Sequence, residues 1–183
     1  MPRNRQRVPK EERSAELLAA ATELFLAHGY AGPTTADISA AAGVARGTVY
    51  WYFKSKDDIF AAVMDRMLGR ETDALNRELR GKDPLTALTG GLADMRPYRS
   101  LHRSMHERIE HSVAVHEAHK RSLDWVRAMV YEVLDRHPHS VDREMIADLT
   151  ISLFEGANVP QTPRRPSHEM IRFLLESRSR RHR

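Results

Sequence analysis

The 183 residues suffice for one or two small domains with a hydrophobic core, and the absence of cysteine excludes disulfides and thiolate metal sites. The formal net charge is +4 and no apolar run reaches the length of a membrane span, so we expect a soluble, cytoplasmic protein with no membrane partner. Basic residues concentrate at the ends of the chain: residues 1–10 contain four and no acid, and residues 164–183 contain seven arginines.

The N-terminal region is predicted to start with a flexible basic arm, residues 1–9, followed by a helix over residues 10–28. Gly29 is expected to stop this helix. Apolar residues recur at helical spacing and predict one buried face. They are Leu17, Leu18, Ala21, Leu24 and Phe25.

The next stretch has the pattern of a helix, a tight turn and a second short helix. Thr34 and Asp37 are spaced as an N-cap and an acidic residue of the first turn, which satisfies free backbone N–H groups. Gly43 supplies a residue that adopts positive φ where the first of these helices must end. The second helix is predicted over residues 45–52, where Gly47 leaves one edge without a side chain.

Ser55 and Asp58 repeat the capping pattern and are predicted to open a helix over residues 56–80. Ser140 is expected to cap another, and Pro97 should end or kink the helix that contains it. Residues 159–166, with three prolines, have the composition of a linker. The further helices are predicted over residues 83–97, 98–110, 113–137, 141–158 and 167–177.

The run TTADISAAAGVARGTVYWYFKSKDDIF, from Thr34 to Phe60, closely resembles the DNA-binding domain of the TetR family of bacterial transcriptional regulators. The likeness is dense from Glu16 to Phe60 and particularly similar to the subgroup that controls drug efflux pumps. It implies an all-α protein with an N-terminal three-helix helix-turn-helix domain and a C-terminal helical ligand-binding and dimerisation bundle. The implied division is a basic arm at 1–9, DNA-binding domain at 10–55, helical domain at 56–177 and basic tail at 178–183.

The resemblance also implies which residues face DNA. Arg46 is the expected reader of bases, because its guanidinium fits guanine O6 and N7 in the major groove. Thr35, Tyr52 and Lys56 are expected to hold phosphates, which sets the register without reading sequence. The full set of expected DNA-binding residues is Thr35, Arg46, Gly47, Thr48, Tyr50, Trp51, Tyr52 and Lys56.

Two further sets follow from the family architecture, in which middle helices enclose a ligand and the last two helices pair across a two-fold axis. The expected ligand-pocket residues are Leu92, Met95, Leu101, Met105, Trp125 and Met129, although ordinary core packing also explains them. The expected dimer-interface residues are Met145, Leu149, Leu153, Met170, Phe173 and Leu174.

The primary hypothesis is a homodimeric repressor that binds a palindromic operator in double-stranded DNA and is released by a small, apolar ligand. One alternative is a DNA-binding regulator without an inducer, whose C-terminal half serves only dimerisation or a protein partner. A remote alternative is a helical metalloenzyme built on His102, His106 and Glu110, which recur every four residues; His116 and His119 form a further pair. No catalytic motif supports it, so we expect no enzymatic activity, no cofactor and no metal.

Overall fold

The computed structural model describes residues 9–79, 85–86, 89–90, 99–136, 142–156, 165 and 167–176. All the regular secondary structure in these residues is helical. The predicted all-α class is therefore confirmed. The helices are α1 (Lys10–His28), α2 (Thr35–Ala41), α3 (Arg46–Tyr52), α4 (Lys56–Leu79), α5 (Arg99–Arg108), α6 (Val113–Arg136), α7 (Arg143–Gly156) and α8 (Ser167–Glu176).

Local hydrogen bonds define the helix-turn-helix as the sequence predicts. The Thr34 hydroxyl accepts from the Asp37 N–H, and the Asp37 carboxylate accepts from the Thr34 N–H, which completes a capping box on α2. Gly43 has φ of +65°, a conformation that other residues rarely adopt, and it turns the chain from α2 toward α3. Ser55 caps α4 by accepting from the Asp58 N–H. The caps predicted at Thr34 and Ser55 and the turn predicted at Gly43 are confirmed.

The N-terminal core is built from α1 to α4 and is completed by α5 and α6. Leu17, Phe25 and Ile38 are fully buried and pack with Phe60 of α4. Leu101 of α5 is equally buried in the same cluster. The core beneath the helix-turn-helix therefore extends past residue 55, the end of the domain predicted from the sequence, and the domain boundary stays a prediction. The other members from α5 and α6 are Met105, Val115 and Ala118.

A second core joins α6, α7 and α8. Val130 of α6, Ala147 of α7 and Ile171 of α8 are fully buried in it. Helix α6 also packs along α4, and α5 packs on α6 and α1. Helix α6 thus connects the two cores, since its first turns belong to one and its later turns to the other.

The start of α7 differs from the prediction. The helix begins at Arg143 rather than residue 141, because the Asp142 carboxylate accepts from the N–H groups of Glu144 and Met145 and acts as the cap. The predicted cap, Ser140, lies outside the described residues. So do the basic arm before Pro9, most of the helix predicted over 83–97, most of the linker and the C-terminal tail. Among the helices described, none combines the length and the hydropathy that crossing a membrane requires.

The carboxylate of Asp57, in the first turn of α4, joins three segments of the chain. Arg108, the last residue of α5, donates from Nη2 at 2.6 Å and from Nε at 3.2 Å, and the Tyr30 hydroxyl after α1 also donates to it. The ring of Tyr30 packs on Phe25 and Phe60 in the N-terminal core. We call Tyr30, Asp57 and Arg108 the junction, because they fix the end of α1, the start of α4 and the end of α5 together.

Electrostatics show that the junction carboxylate is ionised. Burial alone raises the pKa of Asp57, but the hydrogen bonds from Arg108 and Tyr30 outweigh it, so the pKa lies below its ordinary value of 3.8. Burial, together with the hydrogen bond to Asp57, raises the pKa of Tyr30 to about 12. Tyr30 therefore remains a neutral donor over the whole physiological range.

We expect Leu101→Ala to lower the free energy of unfolding by about 2–5 kcal/mol, because it removes a buried side chain and leaves a cavity in the N-terminal core. Urea denaturation followed by circular dichroism measures this. Val113→Ala is the control, since Val113 is 81% exposed and its replacement should change stability by less than about 0.5 kcal/mol. Equal effects of the two substitutions would contradict the assignment of α5 to this core.

We expect Asp57→Asn to destabilise the protein by about 1–3 kcal/mol at neutral pH through loss of charge-assisted hydrogen bonds. Because the folded pKa of Asp57 is depressed, its contribution is fully present above pH 3.8 and disappears as the pH falls through the folded value. The stability gap between wild type and variant, measured by urea denaturation, should therefore narrow below that pH.

Asp65→Asn provides the matched control, because Asp65 pairs with Arg121 at 2.7 Å on a half-exposed surface. That exposed pair should contribute less than about 1 kcal/mol to the free energy of unfolding. If the difference in the free energy of unfolding between wild type and Asp57→Asn were the same at acidic and neutral pH, the ionised Asp57 carboxylate would not stabilise the junction.

Candidate DNA interface

Helix α3 presents one buried residue and an exposed outer surface. Val49 is fully buried against the N-terminal core and fixes the orientation of the helix. On the other side Arg46 is exposed, Tyr50 is 48% exposed and Trp51 is 86% exposed. A large aromatic side chain exposed to this degree buries little apolar surface within its own protein. Such exposed aromatic side chains are typical of a binding surface.

Gly47 lies at the front edge of the same surface. A Cβ atom added here would meet open space, and the backbone has no positive φ. Nothing in the protein's own packing therefore requires glycine at this position. The close approach of another molecule to the backbone of α3, which the sequence predicts at Gly47, stays a prediction. Thr48 is half-buried beside it.

A hydrogen bond links the two helices of the motif across this surface. The hydroxyl oxygens of Thr35, at the start of α2, and Tyr50 lie 3.0 Å apart. With Thr35 as donor, this bond lowers the pKa of Tyr50, and Arg46 one turn earlier acts in the same direction. The phenolic hydrogen of Tyr50 then points away from Thr35 and is available to an acceptor outside the protein.

The two remaining expected DNA contacts are partly engaged by the protein. Lys56 donates from Nζ to the carbonyl of Ala31 at 3.3 Å, and its ammonium lies 4.4 Å from the ring centre of Tyr30. Burial lowers the pKa of this lysine. Tyr52 is half-buried and, with Trp51, lines an open groove of about 580 Å³. The rest of the groove wall consists of Lys10, Glu11, Ser14, Ala15, Leu18 and Arg66.

The expected pocket residues that the structure describes are divided between the two cores. Leu101 and Met105 are buried in the N-terminal core, whereas Met129 is buried in the second core and Trp125 packs against it. Leu92 and Met95 lie outside the described residues. The indole Nε1 of Trp125 is buried and has no hydrogen-bond partner among the described residues. A ligand pocket remains a prediction.

Three of the six expected dimer-interface residues are exposed apolar side chains on α7 and α8. Met145 and Leu149 of α7 are 55% and 42% exposed, and Phe173 of α8 is 74% exposed. Met145 and Leu149 are one turn apart and so lie on the same side of α7. The other three, Leu153, Met170 and Leu174, are partly buried.

The histidine pattern is arranged differently from the sequence-based hypothesis. Glu110 is exposed and lies beyond the end of α5, away from His102 and His106. Instead, His119 of α6 and Glu155 of α7 meet these two histidines. Sequence spacing on one helix could not reveal Glu155, which lies 36 residues beyond His119 and belongs to another helix.

Comparison with known proteins identifies the N-terminal region. Residues 17–63 match the family described as bacterial regulatory proteins, tetR family. Over 79 residues the chain is 38% identical to the probable HTH-type transcriptional regulator ArpR of Pseudomonas putida, covering 43% of this chain and 37% of that protein. It is 33% identical over 78 residues to the HTH-type transcriptional activator FasR of Mycolicibacterium smegmatis, covering 43% and 36%. The chain thus matches little more than a third of these relatives.

The fold is similar over nearly the whole chain to that of a TetR transcription regulator from Haloarcula marismortui. The TM-score is 0.69, with 21% identity and coverage of 92% of this chain and 93% of that one. At this level of identity the likeness shows the fold alone. These relatives are transcriptional regulators and not enzymes, so the metalloenzyme alternative has no support from them. Residues 17–63 therefore carry the sequence pattern of the tetR family, and the chain shares the fold of a solved TetR transcription regulator.

Proposed function

We propose that the chain acts in the cytoplasm as a homodimeric, sequence-specific DNA-binding repressor. The observation that carries this proposal is the outer surface of α3, where Arg46, Tyr50 and Trp51 are exposed while Val49 anchors the helix from behind. In helix-turn-helix proteins the second helix of the motif enters the major groove and its N-terminal residues contact base edges. Arg46 occupies that position in α3 and is the proposed reader of guanine.

The proposed operator is palindromic, because two copies of α3 related by a two-fold axis read two half-sites about 34 Å apart. Thr35, Tyr52 and Lys56 are proposed to contact phosphates on either side of α3. The Thr35–Tyr50 hydrogen bond supports this arrangement, since it holds a proposed phosphate contact and a proposed base contact in one fixed geometry.

We propose that a small apolar ligand releases the protein from its operator by shifting the population between two arrangements of the dimer. A ligand that prefers one arrangement of the C-terminal helices changes the separation of the two α3 helices and so weakens simultaneous binding of both half-sites. The unpartnered indole N–H of Trp125 supports a ligand, because a buried donor without an acceptor is rare in the absence of a bound molecule.

The alternative without an inducer is favoured by another observation. Leu101, Met105 and Met129 are packed into two separate cores rather than arranged around one cavity. A thermal-shift screen of small apolar compounds distinguishes the two: stabilisation that is lost in Trp125→Phe would favour the inducer, and dimers that respond to no compound would favour the alternative. FasR is named an activator, so a reporter assay with and without the protein must test repression.

We expect Arg46→Ala to weaken binding to the preferred operator by about 5- to 150-fold, because one good bidentate base contact contributes about 1–3 kcal/mol of discrimination. The operator is first selected from random-sequence DNA with the wild-type protein. Fluorescence anisotropy then measures affinity, and a repeated selection should show relaxed preference at one position of each half-site.

Arg143→Ala is the control for the loss of one positive charge. Arg143 lies on α7, pairs with Asp135 at 3.0 Å and has no proposed DNA contact. It should leave operator affinity nearly unchanged. If Arg46→Ala kept both the affinity and the base preference of wild type, Arg46 would not be a base-reading residue.

We expect the double variant Leu149→Glu, Phe173→Glu to be monomeric, because a dimer would bury two unpaired charges per subunit on the apolar face of α7 and α8. Analytical ultracentrifugation measures the mass, and circular dichroism verifies that the helices are retained. Leu26→Glu, at a 39% exposed position on α1, should remain dimeric. A double variant that dimerises as tightly as wild type would place the interface elsewhere.

A further inference from the structure

Three histidines and one glutamate from three helices meet between the two cores. His102 and His106 come from α5, His119 from α6 and Glu155 from α7, and one side-chain ligand atom of each lies within 4.8 Å of the others. We call these four residues the His–Glu cluster. The cluster is not part of the proposed DNA interface, and a ligand could bind to it whether or not the chain has the proposed function.

The nitrogen atoms of the three imidazoles surround the carboxylate. The Nε2 atoms of His102, His106 and His119 lie 3.2, 2.8 and 3.2 Å from oxygen atoms of Glu155. The ring centres are 4.7 to 6.2 Å apart, and the ring planes are inclined to one another by 58° to 70°. The three rings are therefore inclined to one another rather than stacked face to face, and a ligand atom of each lies close to those of the others.

These distances are those of ion pairs, but two of the three contacts lack the angles of a hydrogen bond. The contact of His119 with Glu155 has that geometry. Nε2 of His102, Nε2 of His106 and Oε1 of Glu155 are buried and have no hydrogen-bond partner among the described residues. Buried polar atoms are nearly always satisfied, and one ligand atom of each of the four residues lies within 4.8 Å of the others, so a single ion bound between them would satisfy Nε2 of both histidines and the carboxylate together.

The types of the ligand atoms and their burial favour a cation at this point. The His102 side chain is only 6% exposed and packs edge-on against Phe154. Neutral imidazoles offer lone pairs, and the carboxylate supplies one negative charge. His106, 36% exposed, leaves a path from solvent.

We propose that the His–Glu cluster is a non-catalytic binding site for one divalent transition-metal ion, most fittingly Zn²⁺, with His102, His106, His119 and Glu155 as the ligands. Three imidazole nitrogens and one carboxylate oxygen complete a tetrahedral Zn²⁺ shell. Bonds of about 2.0–2.2 Å would separate the ligand atoms by roughly 3.4 Å, so small rotations of the side chains suffice. This differs from the sequence-based expectation of no metal, and from the hypothesis that used Glu110.

The ligand types exclude other common ions. Ca²⁺ and Mg²⁺ select shells made of oxygen atoms, whereas this site is mostly nitrogen. Cu⁺ selects thiolate and thioether sulfur, which the cluster lacks. Imidazole suits Zn²⁺, Ni²⁺ and Cu²⁺, and the ranking among these is part of the test.

The test uses the untagged full-length protein, stripped with a chelator and verified by elemental analysis. Calorimetric titration with Zn²⁺ should give one ion per chain, and Zn²⁺ should raise the melting temperature because it binds only the folded site. His119→Asn and Glu155→Gln should each weaken Zn²⁺ binding by about 100-fold or more, since loss of even a supporting residue costs 10- to 100-fold.

His116→Asn is the matched control, because His116 is exposed on the same helix, three residues before His119. It should bind Zn²⁺ as wild type does. Circular dichroism checks that each variant is folded. If a ligand variant does not fold, titration of the wild-type protein with Co²⁺ decides instead, because a four-coordinate site gives intense visible absorption and a hydrated ion does not. No stoichiometric binding, equal loss in His116→Asn, or a hydrated-ion Co²⁺ spectrum would each overturn the proposal.

Discussion

The partly buried carboxylate of Asp57 is the constraint on which the arrangement of the N-terminal half depends. One anionic group accepts hydrogen bonds from Arg108 at the end of α5 and from Tyr30 after α1, while it lies in the first turn of α4. A carboxylate is also stabilised at a helix N-terminus by the helix dipole. The ring of Tyr30 further receives the ammonium of Lys56. The position of the helix-turn-helix relative to the later helices is therefore set by electrostatics as well as by apolar packing.

Helix α5 is only ten residues long, yet its two faces serve different parts of the molecule. Leu101 and Met105 complete the core beneath the helix-turn-helix, and His102 and His106 face the His–Glu cluster. Its last residue, Arg108, belongs to the junction. Side chains four residues apart lie on one helix face. Leu101 and Met105 therefore share one face of α5, and the two histidines, each one residue later in the sequence, share another. Both histidines lie within two helical turns of Arg108, which contacts Asp57 in the first turn of α4. A displacement of α5 at the His–Glu cluster therefore occurs close to the start of α4.

Five of the exposed apolar side chains occur in two groups with different surroundings. Tyr50 and Trp51 belong to α3, where Arg46 and Thr35 surround them with polar and basic groups. Met145, Leu149 and Phe173 belong to α7 and α8. An aromatic surface beside a guanidinium suits a polyanion with bases, whereas exposed aliphatic and aromatic side chains on α7 and α8 suit a second protein surface. The exposed side chains therefore support the proposals of DNA binding and of dimerisation separately.

The sequence by itself determined the features that depend on neighbouring residues. The Thr34–Asp37 capping box, the Gly43 turn, the Ser55 cap and the limits of α1 could be predicted because their hydrogen bonds and backbone angles span only a few positions. The order of the helices and the exposed outer surface of α3 followed from the same local patterns and from the family resemblance. The start of α7 was missed because Asp142, two residues past the predicted cap, forms the capping hydrogen bonds.

Only the tertiary structure decided which distant groups meet. Leu101 has the helical spacing of any core residue, and nothing local shows that it completes the core of the helix-turn-helix rather than a ligand pocket. Asp57 and Arg108 are 51 positions apart, and Glu155 is 36 positions from His119. Such pairs depend on how whole helices pack, since the energy of each contact is realised only after the chain has brought its partners together. The sequence therefore specified the exposed outer surface of α3, and the fold specified the junction and the His–Glu cluster.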